Sequence, residues 1–234
     1  MNDNVKVGLL KNKVTNSFLG VSQEDESLCP VYKTSIKNGK NALQCVWSDL
    51  NGTDSESLSA ISSDFTYFCV ASRQLSSDTS PYEFSTIMAT RRTGPLISDI
   101  VTFGDRDFPE YENDYNITYK SIFGGSYEDT VIRSDENAVG EWSVITIVRT
   151  TEGSYMYINN IFELSSSEFE LDLPEMYTIM VGAFGGFLGD ILIYNRALEI
   201  EEMTQIYNYL NTKWQISDDP NPTLPFPEPP PPLD

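Results

Sequence analysis

Two patterns meet in residues 187–214, FLGDILIYNRALEIEEMTQIYNYLNTKW. The first half is rich in branched and aromatic residues from Gly189 to Tyr194, which predicts a β-strand. In the second half, apolar residues recur at three- and four-residue spacing, which predicts an amphipathic helix. Glutamates stand in its first turn and Lys213 in its last, as the helix dipole favours. We expect this helix to pack one apolar stripe against a β-sheet, and the stripe consists of Ile200, Met203, Ile206, Tyr207, Leu210 and Trp214.

Short strand-like segments fill the chain from residue 41 onward. They are rich in aromatic and branched residues, and Asn, Gly, Ser and Asp bound them. The sequence Thr151-Glu152-Gly153-Ser154 predicts a tight hairpin, and Asn159-Asn160 predicts a second turn. We therefore predict an all-β fold, a two-layer antiparallel sandwich closed by one C-terminal helix. The nine predicted strands cover residues 42–47, 65–70, 84–89, 99–104, 116–119, 142–148, 155–158, 177–182 and 189–194.

The C-terminal stretch resembles the concanavalin A-like, laminin-G-like jelly-roll family. That family commonly ends with an F-x-G-D-I strand, an I-Y-N-R-A-L corner and a helix finishing in Y-L-x-x-K-W, and all three motifs occur within residues 187–214. Weaker matches are IKNGKNALQ at 36–44, SDFT at 63–66 and GSYMYIN at 153–159. Two departures are Glu199, where the family often has a serine N-cap, and Asn160, where glycine is usual. Within the matched motif we interpret Asp190 and Arg196 as architectural, with Asp190 accepting backbone N–H bonds and Arg196 bonding carbonyls or Asp190.

The resemblance implies a jelly-roll domain over residues 30–216, an N-terminal arm over 1–29 and a proline-rich tail over 217–234. Residues 1–40 carry six lysines against four acidic groups, whereas the rest of the chain has a net charge of −22. A weakly basic arm of this kind is able to dock on an acidic neighbour, such as another copy of the chain. The alternative is an ordinary solvated N-terminal segment. Eight of the 13 prolines lie from residue 220 onward, which predicts an extended tail acting as a spacer or as a strap.

Composition excludes several classes of function. The 234 residues have a formal net charge of −20 and contain no histidine. Serine–histidine and cysteine–histidine catalysis and histidine-ligated zinc are therefore excluded. The low Lys and Arg content argues against nucleic acid or an anionic membrane as partner. No apolar run has the length of a signal peptide or a membrane span, so we expect neither. We predict that Cys29, Cys45 and Cys69 are buried free thiols.

The candidate binding region is GDRDFPEYENDY, residues 104–115. Asp105, Asp107 and Asp114 are candidate Ca²⁺ ligands, and Tyr111 and Tyr115 are candidate platforms for a sugar ring. The spacing fits no defined calcium loop, so the alternative is a solvated acidic loop. We expect no cofactor other than this possible Ca²⁺.

One segment of the sequence resembles an enzyme active site. It is Glu170-Leu171-Asp172-Leu173-Pro174-Glu175. It resembles the E-x-D-x-x-E strand of jelly-roll β-glucanases, in which two glutamates act as nucleophile and acid/base. Pro174 lacks the N–H that a central strand uses, which places the string at a strand edge or in a loop. We therefore expect a protein without enzymatic activity.

The fold alone does not decide the function. The first hypothesis is a non-catalytic structural or recognition module of a bacteriophage virion, such as a capsid decoration, head-fibre or tail-associated subunit. It would assemble in the host cytoplasm as a homo-oligomer with copies of itself or with other virion proteins. The alternative is a carbohydrate-binding module or adhesin that recognises a glycan, with an extracellular or cell-surface location. A glycoside hydrolase is the third hypothesis.

Overall fold

A computed structural model describes most of the predicted strands and the helix. The described residues are 3–11, 20–46, 50–52, 64–74, 86–92, 98–103, 117–122, 131–133, 140–166 and 176–217. A short 3-10 helix covers Glu26–Leu28, and helix α1 covers Ile200–Trp214. The strands are β1 Leu9–Lys11, β2 Gly20–Ser22, β3 Val31–Lys37, β4 Lys40–Cys45, β5 Leu50–Gly52, β6 Phe65–Arg73, β7 Thr86–Arg92, β8 Ser98–Phe103, β9 Ile117–Ile122, β10 Val131–Arg133, β11 Trp142–Thr150, β12 Gly153–Ile158, β13 Ile161–Ser166, β14 Met176–Ala183 and β15 Gly186–Tyr194.

The strands form two antiparallel sheets. One sheet has eight strands in the order β1-β2-β5-β14-β7-β8-β9-β10, and the other has seven in the order β13-β12-β11-β6-β15-β4-β3. The predicted all-β sandwich with a single C-terminal helix is confirmed. All nine predicted strands are present, with ends that differ by a few residues. The sequence analysis missed β1, β2, β3, β5, β10 and β13, four of which have three residues each.

The two sheets enclose the main core. Strand β6 lies near the middle of the seven-stranded sheet and is buried along almost its whole length. Phe65, Tyr67 and Cys69 of this strand point to the core between the sheets, whereas Phe68 and Val70 point to the opposite face. This arrangement follows from the strand period of two, which sends alternate side chains to opposite faces. A strand that is apolar on both faces requires a covering layer on each side.

Helix α1 supplies the second covering layer. Met203, Tyr207, Leu210 and Trp214 are buried and share a second core with the outward-facing residues of β6 and β11. The predicted apolar stripe therefore packs against the sheet, although Ile200 at the start of the helix is 37% exposed. Among the described residues, no helix has both the length and the apolar character needed to cross a bilayer.

The junction between β15 and α1 is fixed by polar contacts. The Thr66 hydroxyl donates to the Arg196 carbonyl and accepts the Leu198 N–H, at 3.1 and 3.0 Å. Arg196 forms a two-pronged ion pair with Glu202, at 2.7 and 2.6 Å. The Glu202 carboxylate also accepts the N–H of Glu199, at 3.1 Å, and so caps the helix start without a serine hydroxyl. Arg196 also donates to the Ala197 carbonyl at 3.5 Å, which is one of the two predicted alternatives. The other alternative, a bond to Asp190, is not found, and the ion pair with Glu202 was not predicted.

The described part of residues 1–29, predicted as an arm, lies within the sandwich. Strand β1 pairs with β2, and β2 pairs with β5 at the edge of the eight-stranded sheet. Residues 4–7 run along β3, where the Asn4 N–H donates to the Tyr32 carbonyl and the Tyr32 N–H donates to the Val5 carbonyl, both at 2.8 Å. Val7 is buried in the main core. The residues of the proline-rich tail from 218 onward lie outside the described part.

All three cysteines are buried thiols outside any disulfide, as predicted. Burial raises the pKa of the Cys69 thiol, and the neighbouring Cys45 and Asp190 raise it further. A thiol in this environment stays protonated at neutral pH, so Cys69 lacks the thiolate that nucleophilic chemistry requires.

The two predicted turns are confirmed. Thr151 and Glu152 join β11 to β12, and Asn159 and Asn160 join β12 to β13. Both asparagines have positive φ, 52° and 64°, which asparagine tolerates better than most residues. Asn159 also accepts the N–H of Val144 through its side-chain oxygen at 2.9 Å, which attaches this turn to β11.

Candidate functional site

The residues predicted as a binding region lie outside the described part of the chain. Asp105, Asp107, Tyr111, Asp114 and Tyr115 all fall between β8 and β9. The strands on either side are neighbours, with Phe103 opposite Ile117. Calcium binding and sugar stacking at these residues remain predictions. The string Glu170–Glu175 also lies outside the described residues, between β13 and β14.

The described residues form an open groove at the C-terminal half of α1. Its volume is about 640 Å³, which lies within the range usual for ligand sites. Its walls come from the helix and from the turn between β3 and β4, two elements that are far apart in the sequence. The lining residues are Asn38, Lys40, Asn208, Tyr209, Thr212 and Lys213.

The β3–β4 turn is held against the end of the helix. Asn38 and Gly39 form this two-residue turn with positive φ at both positions, 46° and 65°, as hairpin turns of this length favour. The Asn38 side-chain amide donates to the Lys213 carbonyl at 2.9 Å. Carbonyls in the last turn of a helix lack intrahelical partners, so this bond satisfies one of them. The contact fixes the position of one wall of the groove relative to the other.

A charged network anchors the helix wall. Lys213 Nζ lies 2.6 Å from Asp190 Oδ2, and Trp214 Nε1 donates to the same carboxylate oxygen at 2.8 Å. The Trp214 ring stacks on Trp142 with a centroid distance of 5.0 Å and an interplanar angle of 20°. Asp190 was expected to accept backbone N–H groups, whereas it accepts these two side chains. Its role is architectural nonetheless, because it joins β15 to the end of α1.

Tyr209 is the exposed aromatic residue of the groove. Its side chain is 58% exposed. The Lys213 ammonium lies 5.8 Å from the centre of its ring, within the range of a cation–π contact. A ring with this exposure is free to contact a ligand, because its apolar face and its hydroxyl both reach solvent. An exposed ring beside polar groups is suited to a ligand with both apolar and polar faces.

Polar groups surround this ring. Asn208, Thr212 and Asn38 supply amides and a hydroxyl, which both donate and accept hydrogen bonds. The side-chain oxygen of Asn208 is buried and has no hydrogen-bond partner among the described residues. None of the described lining residues carries a carboxyl group, and glycoside hydrolysis requires a pair of them. The amides and the hydroxyl around the ring are suited to a polar ligand.

Sequence reasoning did not select any of the groove residues as functional. Asn38, Tyr209 and Lys213 fall inside motifs that were interpreted as signs of the fold. One signal was available, because Tyr209 is an aromatic residue that does not belong to the apolar stripe of the helix. Such a position predicts either an exposed ring or a second contact surface. The approach of the β3–β4 turn to the helix end required the structure.

Comparisons with known proteins identify the fold. No protein-family model matches the chain, and no curated protein matches it. Among solved structures, the binding domain of botulinum neurotoxin serotype G has a TM-score of 0.54 at 14% identity, covering 82% of this chain and 49% of that domain. Domain 4 of AbnA, an extracellular GH43 arabinanase from Geobacillus stearothermophilus, in complex with arabinotriose, has a TM-score of 0.57 at 16% identity, covering 76% and 81%. Trypanosoma rangeli sialidase has a TM-score of 0.53 at 14% identity, covering 92% and 34%.

These similarities establish the β-sandwich fold that the resemblance implied. The chain spans about half the length of the neurotoxin domain and nearly all of the arabinanase domain that it matches. The sequence identities are too low to carry a function from any of these proteins to this chain.

Proposed function

We propose that the chain is a non-catalytic carbohydrate-binding module that acts outside the cell or at a cell surface. The observation that carries the proposal is the groove in which the exposed Tyr209 ring stands among amide and hydroxyl groups. Sugars have one face of C–H groups and a rim of hydroxyls. An aromatic ring packs against the first, and side-chain amides bond the second.

The comparison with the arabinanase domain supports this proposal. That domain has the same kind of sandwich and was solved with arabinotriose bound, and this chain covers most of it. The comparison adds plausibility to a glycan ligand, while the groove residues of this chain provide the means of binding it. The described residues of the groove wall carry amide, hydroxyl, aromatic and ammonium groups, which suit binding.

The region 104–115 is a second proposed contact for the same function. Tyr111 and Tyr115 would supply ring faces there, and Asp105, Asp107 and Asp114 would hold Ca²⁺. The groove and region 104–115 are distinguished by their response to Ca²⁺. Glycan binding at region 104–115 would depend on Ca²⁺, whereas glycan binding in the groove would not.

A glycan array followed by titration of the best ligand tests the proposal. We expect wild-type protein to bind at least one glycan and Tyr209→Ala to bind it about three- to tenfold more weakly, as loss of an aromatic contact implies. Tyr209→Phe keeps the ring and serves as the matched control, with binding close to wild type. The same titration is repeated with Tyr111→Ala/Tyr115→Ala, in Ca²⁺ and in a chelator.

The outcomes are distinct. A loss confined to Tyr111→Ala/Tyr115→Ala would move the site to region 104–115 and keep the function. Failure of the wild-type protein to bind any glycan, with Ca²⁺ or without it, would refute the proposed function.

As a second candidate we propose a structural module of a bacteriophage virion, assembled with copies of itself or with other virion proteins. The supporting observation is the charge distribution, with +2 in residues 1–40 and −22 in the rest, which favours contact between unlike surfaces of neighbouring subunits. Light scattering at low and high salt tests self-association. Mass spectrometry of purified particles tests the location, and absence of the chain from them would refute this candidate.

A further inference from the structure

Two lysines lie directly opposite each other at the closed end of the β3–β4 hairpin. Lys37 ends β3, Lys40 begins β4, and the two residues are paired across the turn. Residues paired in this way on antiparallel strands point to the same face, with Cβ atoms about 4.5–5.5 Å apart. Like charges in this position repel each other and destabilise the hairpin. The repulsion between the two lysines therefore lowers the stability of the hairpin, and formation of the hairpin itself does not require lysine at these positions.

Among the described residues, neither lysine has a partner that neutralises its charge. Across the described ranges, no hydrogen bond or ion pair involves either ammonium group. Lys40 lines the groove, and Asn38 between them lines it too. Lys37 is not itself a lining residue and stands beside Lys40 across the turn. The other lysine that lines the groove, Lys213, is already neutralised, because its ammonium is bound to Asp190. The protein has 35 acidic and 15 basic residues, so most of its surface charge is negative. The two lysines give the surface beside the groove a local positive charge.

The remaining charge of the protein acts weakly at this place. At physiological ionic strength the Debye length is about 8 Å, so distant carboxylates are largely screened. A ligand in the groove experiences mainly the charges within a few ångströms of it. Among the described lining residues the charged groups are those of Lys40 and Lys213, and Lys213 is paired with Asp190. The charge left at the groove wall is therefore that of Lys40, with Lys37 beside it across the hairpin.

We propose that the groove selects an anionic sugar, one that carries carboxylate or sulfate groups, and that Lys37 and Lys40 together hold the anionic group. This inference rests on the proposed function, and it names the class of glycan. The sugar ring would lie against Tyr209 and its hydroxyls would meet the amides of Asn38 and Asn208. An anion between the two ammonium groups would remove their mutual repulsion, so binding is expected to stabilise the hairpin.

The test uses three polymers that share one backbone: dextran, carboxymethyl-dextran and dextran sulfate. Affinity electrophoresis and calorimetry measure the binding of the full chain to each, beside the glycan array described above. The test variant is Lys37→Gln/Lys40→Gln. The matched control is Lys6→Gln/Lys33→Gln, which lowers the net charge by the same amount. The control lysines do have partners, since Lys6 donates to the Glu26 carbonyl and Lys33 donates to the Asn4 side chain.

We expect the wild-type chain to prefer one or both charged polymers over dextran. Lys37→Gln/Lys40→Gln should reduce that preference roughly three- to tenfold, as the loss of two surface charge contacts implies. The control variant should keep it, and both variants should unfold within a few degrees of wild type. The carboxylated and sulfated arms identify which anion the pair accepts. Added salt should weaken the preference, because the contacts are exposed.

Three results would overturn the inference. Binding to dextran that equals binding to the charged polymers would show that charge is not recognised, while the proposed glycan function would stand. An equal loss in the test and control variants would show a general effect of net charge. If no polymer and no glycan of the array binds wild-type protein, the proposed function itself fails, and the inference fails with it.

Discussion

Replacing Gly189 by alanine tests how tightly the end of helix α1 is seated on the sheet. Gly189 lies in β15 beneath the indole of Trp214. A Cβ at this position would lie 2.7 Å from Cζ2 of Trp214, 3.0 Å from Cη2 and 3.1 Å from Cε2. These separations are shorter than normal van der Waals contact. The ring cannot retreat freely, because it stacks on Trp142 and donates its N–H to Asp190.

Two opposing effects set the change in the free energy of unfolding for Gly189→Ala. Overpacking of a filled core costs about 1–3 kcal/mol. Alanine recovers about 0.5–1 kcal/mol, because glycine loses more backbone freedom on folding. The net expectation for Gly189→Ala is a loss of up to about 2.5 kcal/mol, or a fall in Tm of up to about 10 °C for a domain of this size.

Thermal unfolding followed by circular dichroism provides the measurement, and Trp214→Phe provides the control background. Phenylalanine lacks the benzo atoms that the new Cβ would meet, so the clash is relieved there. We expect Gly189→Ala to cost much less in the Trp214→Phe background, with a coupling energy of about 1 kcal/mol or more. An equal cost in both backgrounds would refute the proposed contact as the cause.

Two further predictions concern Gly186 in β15 and Glu202 in the first turn of α1. Gly186→Ala should destabilise the protein more than Gly189→Ala in the same assay, because its Cβ would meet the carbonyl oxygen of Ser72, which is backbone and cannot turn aside; an equal or smaller loss would contradict this. For the second, hydrogen bonds from Arg196 and from the Glu199 N–H lower the pKa of Glu202 to about 2. A lowered pKa in the folded state contributes stability above the ordinary value of 4.5 and loses it as the pH falls toward 2. The stability difference between wild type and Glu202→Gln should therefore be constant near pH 7 and shrink between pH 4.5 and 2, and a difference that grew on acidification would refute the assignment.

The sequence predicted the central parts of the fold because burial there leaves a clear pattern. Strands such as β6 and β11 are long and apolar, and the stripe of α1 is complete from Met203 to Trp214. The missed strands β1, β2, β5 and β10 have three residues each, too few for a period of two to be recognised. Their strand character comes from pairing with neighbours in the eight-stranded sheet.

The candidate site was harder to predict than the fold. The amide of Asn38 and the carbonyl of Lys213 are 175 residues apart in the sequence, and no local pattern indicates that they meet. The side-chain partners of Asp190 and the ion pair of Arg196 with Glu202 were not predicted, whereas a carbonyl partner for Arg196 was. A side chain's partner depends on which elements pack together, whereas its tendency to form a strand or helix depends mainly on its neighbours in the chain.

The position of strand β6 has a consequence for how the protein is made. Its two neighbours in the sheet, β11 and β15, come much later in the chain, and Thr66 forms its hydrogen bonds with residues 130 and 132 positions downstream. A ribosome therefore releases β6 long before either partner exists, with both apolar faces and both edges uncovered. Pairings of such long range are slow to form and expose the nascent chain to aggregation. We expect a chain that stops before residue 186 to be degraded or insoluble, since the sheet at its centre cannot be completed.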